Sequence, residues 1–193
     1  MTEPMKTKVT KVPAQGRFLI ARPFLQDPNF WRSVVLLTEH NEEGTVGFVL
    51  NRPIEYGLND LIEDFPTFNA PVFLGGPVGT DSLHYLHQVP DLEGSENREI
   101  APGVYWGSSF EALRAGILAG MLTPENVRLF VGYSGWGPHQ LEGELKMKSW
   151  YVSGSNNAFT FSDTPQDLWR EVLRSMGERY RLISHYPEDP SMN

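Results

Sequence analysis

The chain has 193 residues, 40% of them hydrophobic, and its 16 basic residues stand against 24 acidic ones for a formal net charge of −8. That length carries one substantial core, and the acidic balance excludes a broad phosphate-binding face, which needs clustered lysine and arginine. Cysteine is absent, which excludes disulfides, thiol catalysis and thiolate-bound zinc.

Residues 1–15 are polar and lack the apolar stretch of a secretory leader. No Asn-x-Ser/Thr acceptor with x other than proline occurs, and no run approaches the ~20 apolar residues of a membrane helix. The expectation is a cytoplasmic protein with a flexible segment over 1–15 and a single domain over 16–193.

Order should begin near Gly16. Residues 33–40 read as a strand, because adjacent apolar residues bounded by polar ones suit burial on both faces. Residues 45–51 alternate, with Val46, Phe48 and Leu50 on one face, and "NEEG" joins the two as a hairpin. Residues 57–65 read as a short helix capped by Asn59. Strands follow over 70–79 and 82–89, then an exposed polar loop over 91–103 and a short strand over 104–107. Residues 108–121 form a helix begun by a Ser108–Glu111 capping box, with Phe110, Leu113, Ile117 and Met121 on one stripe. A strand over 127–133 puts Val127, Leu129 and Val131 inward, and 149–153 and 158–161 read as two more strands. The clearest helix is 164–177, with Thr164 as cap, Pro165 in the first position, Gly177 past the end, and Leu168, Trp169, Val172, Leu173 and Met176 on its apolar face. The Pro-rich tail, 185–193, lies on the surface. Hairpin-sized connections with irregularly placed helices indicate an α+β fold.

The stretch "GYSGWGPHQLEGEL", residues 132–145, has the look of chemistry. A hydrolase elbow needs glycine two places on each side of the serine, and after Ser134 the second glycine is misplaced, so a glycine turn is the better reading. Residues 138–145 suit a helix: Pro138 opens it, Leu141 and Leu145 are four apart, and Glu142–Lys146 and Glu144–Lys148 are spaced as i, i+4 pairs. On a helix Glu142 and Glu144 point about 200° apart and cannot act as a dyad. Gly143 weakens that helix. Its N-terminus, beside Trp136 and Gln140, offers free N–H groups to an anion or a partner's carbonyl. His84 and His87, three apart on a strand, face opposite sides, and His40, His139 and His185 are scattered, so no metal site is expected. "LGGPVGTDS" reads as an anion nest or a plain glycine turn. Trp31 and Trp136 fall in turns, where core packing does not account for them.

The segments "GRFLIARPFLQDPNFWRSVVLLTEHNEEGTVGFVLNRP", "FLGGPV", "LHYLH", "GYSGWGPHQLEGEL", "FTFSDTPQDLW" and "YPEDPSMN", taken in order from Gly16, resemble the YqgE/AlgH family of bacterial proteins. The resemblance implies an α+β fold: a bifurcated mixed or antiparallel sheet curled into a pseudo-barrel, with helices packed outside. It implies no established catalysis and no cofactor, and the AlgH name carries a reputation as a transcriptional regulator. The family pattern usually has glycine where this chain has His139, and often alanine at Ser134 and Gly143.

The functional expectation is a binding or regulatory module for a small molecule or a protein partner, its groove formed where "NRP", "GGP" and "GWGPHQ" converge. Asn51, Arg52, Gly75, Gly76, Trp136 and Gln140 are the candidate residues: Arg52 for an anionic or carbonyl group, Trp136 as an apolar wall, the glycines for close backbone approach. The alternatives are a hydrolase using Ser134 and a direct DNA-binding regulator. The latter is disfavoured by charge and by the lack of a helix-turn-helix with a basic recognition helix.

Overall fold

The computed structural model describes residues 9–10, 12–92, 94 and 98–187. In chain order the elements are β1 (Val9–Thr10), β2 (Arg17–Ala21), β3 (Val34–Asn41), β4 (Gly44–Val49), β5 (Pro53–Gly57), α1 (Leu58–Leu61), β6 (Pro71–Leu74), β7 (Val78–His87), β8 (Arg98–Ala101), β9 (Val104–Gly107), α2 (Phe110–Leu118), β10 (Val127–Trp136), α3 (Gln140–Lys146), β11 (Trp150–Gly154), α4 (Asn157–Thr160), α5 (Leu168–Ser175) and α6 (Glu178–Ile183). The fold is α+β. Eleven strands form one sheet in the order β1-β11-β2-β3-β4-β10-β7-β9-β8, with β6 branching from β10 and β5 pairing β6. That path does not return on itself, and every pairing is antiparallel except β6 with β10.

The bifurcation lies in β10. Leu129 to Val131 pair with β6, whereas Ser134 to Trp136 pair with β4. The opposite edge pairs with β7 from Val127 to Tyr133. Gly132 takes φ 66° between the two halves, where the β7 register shifts, as a bulge requires.

Period-2 alternation sets the layers. Phe18 and Ile20 of β2, Val34 and Leu36 of β3, and Phe48 of β4 face one cluster, closed by Leu168, Trp169, Val172 and Leu173 of α5. Leu19, Ala21, Val35, Leu37 and Val49 face the opposite side, under Leu141 of α3. A third cluster gathers Val72, Tyr85 and Leu129 with Leu58 of α1 and Leu113 of α2. The helices therefore cover the sheet from outside. Among the described residues no helix is long and apolar enough to cross a membrane.

Several local expectations are corrected. Val9 and Thr10 already pair with β11, ahead of Gly16, while residues 1–8 lie outside the described part. Within the expected polar loop, Arg98–Ala101 forms an edge strand on β9. Residues 158–161 are not a strand: Asn156 Oδ1 accepts the Ala158 N–H at 2.9 Å and starts α4 instead. The α2 cap is Ser109, which accepts from Ala112 N, and Phe110 and Met121 stay exposed. The α1 cap is Gly57, whose N–H the Asp60 carboxylate accepts, and Asn59 binds the 65–68 loop. Thr164 and Pro165 make a turn ahead of α5, whose five expected apolar residues are all buried. The tail from residue 188 lies outside the described residues.

Candidate functional site

Asn51 and Arg52 leave β4 at the end where β3 begins. The Asn51 amide spans the gap: Oδ1 accepts the Val34 N–H at 2.9 Å, and Nδ2 donates to Arg32 O at 2.9 Å. Arg52 Nη2 donates to Trp31 O at 3.0 Å. Its pKa is lowered by burial, with the Asp27 carboxylate opposing the shift. Together they edge a pocket of about 260 Å³. Trp31 and Trp169 supply its aromatic surface, Asn51 and Gln166 its amides, and Arg32, Arg52 and Arg170 its charge. The Arg32 guanidinium lies 4.5 Å from the Trp169 ring centroid and 5.4 Å from that of Trp31, and donates to Tyr186 O at 2.6 Å. Arg32 is 9% exposed and holds φ at 50°, a left-handed backbone that costs a non-glycine residue about 1–2 kcal/mol.

Gly75 and Gly76 serve the sheet's fork. The Gly75 N–H donates to Val131 O at 3.0 Å, and its carbonyl accepts from Val49 N at 2.8 Å and from the Ser134 hydroxyl at 2.9 Å. A Cβ on Gly75 would lie 2.4 Å from Gly132 O, and one on Gly76 2.4 Å from Ser134 N. The close approach expected of these glycines is thus to β10. Ser134 is fully buried with its proton given to that carbonyl, so it presents no hydroxyl to a substrate.

Trp136 pairs with Thr45, at the opposite end of β4 from Asn51. The candidate residues are divided between cavities: Asn51 and Arg52 edge the arginine pocket, whereas Trp136 and Gly137 edge another. Trp136 is 4% exposed and stacks on Phe30 at 5.7 Å, with Trp150 edge-on to both. Trp136 Nε1 and Trp150 Nε1 both donate to Glu144 Oε2, at 3.0 and 2.8 Å, and Gln140 Nε2 donates to Glu144 Oε1 at 3.1 Å. Gln140 Oε1 accepts the Gly137 N–H at 3.0 Å, closing its own turn. Trp136 also edges a second cavity of about 420 Å³ beside Glu39, Glu43 and Tyr133. The helix expected after Pro138 forms, and its glutamates face apart: Glu144 toward the indoles, Glu142 toward His40 Nε2 at 3.8 Å. His139 precedes it at φ 60°, a conformation that suits glycine.

His84 packs among Phe48, Trp106 and Tyr133, while His87 lies between Tyr85 and Tyr105, on the other face as the spacing required. Burial lowers the pKa of both rings, that of His87 to about 4 with the Val89 backbone offsetting part of the shift. Among the described residues no three His, Asp or Glu side chains gather as metal ligands would.

Sequence reasoning missed Arg32, Gln166, Trp169 and Arg170 as neighbours of Arg52. Trp31, a tryptophan in a turn, was the one available signal. Arg170 lies off the apolar face of its helix, and only the docking of α5 beside β2 brings it toward residue 52.

The AlgH-like family profile (DUF179) matches residues 18–181. The chain belongs to the AlgH-like family. It is 44% identical to a UPF0301 protein of Cytophaga hutchinsonii over 179 residues, covering 93% of this chain and 98% of that one. A UPF0301 protein of Chlorobium luteolum is 40% identical over 181 residues, 93% of this chain and 95% of its own. The solution structure of AlgH from Pseudomonas aeruginosa superposes with a TM-score of 0.70 at 30% identity, covering 91% of this AlgH-like chain and 96% of its own. A Corynebacterium diphtheriae crystal structure shares the fold with a TM-score of 0.75 at 24% identity, over 91% of this chain and 93% of that one.

Proposed function

We propose that this chain is a cytoplasmic binding or regulatory module whose ligand or partner presents a carboxylate or phosphate to the pocket between Arg32, Arg52 and Arg170. One observation carries the reading: three arginines and two tryptophans line one small cavity, in a chain of net charge −8. Guanidinium forks match carboxylate and phosphate oxygens, and flanking indoles hold an apolar body beside them. The left-handed backbone at Arg32 adds support, since strain of this kind collects at ligand clamps. Any part in transcription then runs through such a partner, because the net charge opposes direct contact with DNA phosphates.

Inorganic phosphate and succinate, each titrated into the ¹⁵N-labelled protein, test this. Saturable shifts of the Trp31 indole and Asn51 side-chain amide signals are expected, lost in Arg52→Gln while its melting temperature holds. If neither anion moves those signals, or if Arg52→Gln responds like the parent, the assignment is wrong.

A further inference from the structure

A second concave surface is lined by none of the six candidate residues, although its Tyr186 accepts a hydrogen bond from Arg32 of the arginine pocket. It is a groove of about 610 Å³ between the 22–24 segment, the end of α3 and α6. Arg22, Lys148 and Arg179 line it, and among the described residues no carboxylate does. Its apolar surface is open to solvent: Met147 is 74% exposed, Leu182 70% and Tyr186 45%. Phe24 stacks on Tyr186 at 5.9 Å, and the Arg22 guanidinium sits 4.8 Å from the Tyr151 ring centroid, so the floor is pre-formed. α6 buries none of its own residues. Its Tyr180 and Ile183 pack against the core, with Tyr180 edge-on to Tyr151 at 5.1 Å, whereas Leu182 faces solvent.

We infer that this groove docks an acidic amphipathic segment of another protein, with apolar anchors seated on Met147 and Leu182 and carboxylates facing Arg22, Lys148 and Arg179. Exposed methionine, arginine and aromatic side chains around an apolar floor have the composition of protein-interface cores. Charge chooses the occupant. The groove concentrates cations in a chain that carries eight excess negative charges, so it steers an acidic partner. A second copy brings another −8 of repulsion. For an anionic bilayer, three cations fall short of the roughly four to eight that anchor a polybasic patch.

The probe is a phage-displayed library of random peptides of about twelve residues, enough for a helical docking segment. It is selected on the full chain and rescreened on Leu182→Asp and Arg179→Glu. Both positions are exposed, and unchanged melting curves certify the variants as folded. The expected result is enrichment of peptides that combine Asp or Glu with Leu, Phe or Met. Their affinity should fall about tenfold in each variant, weaken with salt, and stay unchanged in Arg52→Gln. Failure to enrich, peptides without acids, or peptides indifferent to both variants overturn the proposal. So does binding to phosphatidylcholine/phosphatidylglycerol vesicles that the variants abolish, which assigns the groove to lipid. A sedimentation dimer lost in Leu182→Asp assigns it to a second copy. Peptide binding that appears only after deletion of 188–193 assigns it to the chain's own tail.

Discussion

Glu144 illustrates how single polar residues are used in this molecule. A carboxylate beside two buried indoles is not an ion-pair partner for Lys148, as the i, i+4 spacing suggested, but the acceptor that lets Trp136 and Trp150 bury their N–H groups. Asn51, Ser134 and Gln140 act in the same way, each satisfying backbone at a junction between elements. Arg128 does so more strongly: its guanidinium is buried over the Phe73 ring and donates to the carbonyls of Thr160 and Ser162. Leaving a buried donor without an acceptor costs about 1–3 kcal/mol. Glu144→Ala strands two, so urea unfolding should find it about 2–4 kcal/mol less stable than the parent. Glu144→Gln keeps one oxygen for the indoles and should lose less. A Glu144→Ala protein as stable as wild type shows that water or a neighbour replaces the carboxylate, and the indole network is then not what fastens α3.

At the scale of elements, α3 carries an internal weakness that the sequence already exposed. A Cβ placed on Gly143 meets nothing within 4 Å, and the residue lies inside the Gln140–Lys146 helix. Gly143→Ala should therefore stabilise the protein by about 0.5–1 kcal/mol, read as a higher urea midpoint at unchanged slope; a loss of stability means that α3 must bend there. The elements legible from sequence were those whose burial pattern is local. The β3–β4 hairpin followed from its apolar run and turn, and the buried face of α5 from its 3.6-residue period. Where a competing local signal was stronger, the pattern misled. Phe159 and Phe161 alternate like a strand, but Asn156 caps a helical turn through them. The Arg98–Ala101 strand is an edge, and edges carry charge to resist further pairing, so it reads as loop. The candidate site was half legible for the same reason. Asn51 and Arg52 stand next to each other at a strand end, while Gln166 and Arg170 reach them from the far end of the chain through tertiary packing, which no periodicity encodes.

At the scale of the whole molecule, stability is tied to pH through a histidine that the fold keeps neutral. His87 is fully buried between Tyr85 and Tyr105, each ring centroid 5.6 Å away, and its pKa is lowered to about 4, chiefly by burial. In the unfolded chain the same imidazole titrates near ~6.5. Above that value both states hold it neutral and it contributes no pH dependence. Between ~6.5 and ~4 the unfolded chain binds a proton that the native chain refuses, so stability falls as pH falls. From pH 7 to pH 5 the linkage amounts to about 2 kcal/mol. His84 is shifted in the same direction, also by burial, and steepens the fall. Acidic groups add slopes of their own, so the informative quantity is a difference between proteins. Wild type and His87→Leu are each unfolded with urea at pH 7 and pH 5. The variant keeps every other titrating group, and its loss across that window should be smaller than that of wild type by about 2 kcal/mol, whatever its absolute stability. Equal losses in the two proteins require that His87 take up its proton in the native state, through local opening of the β7–β9 pairing that covers it.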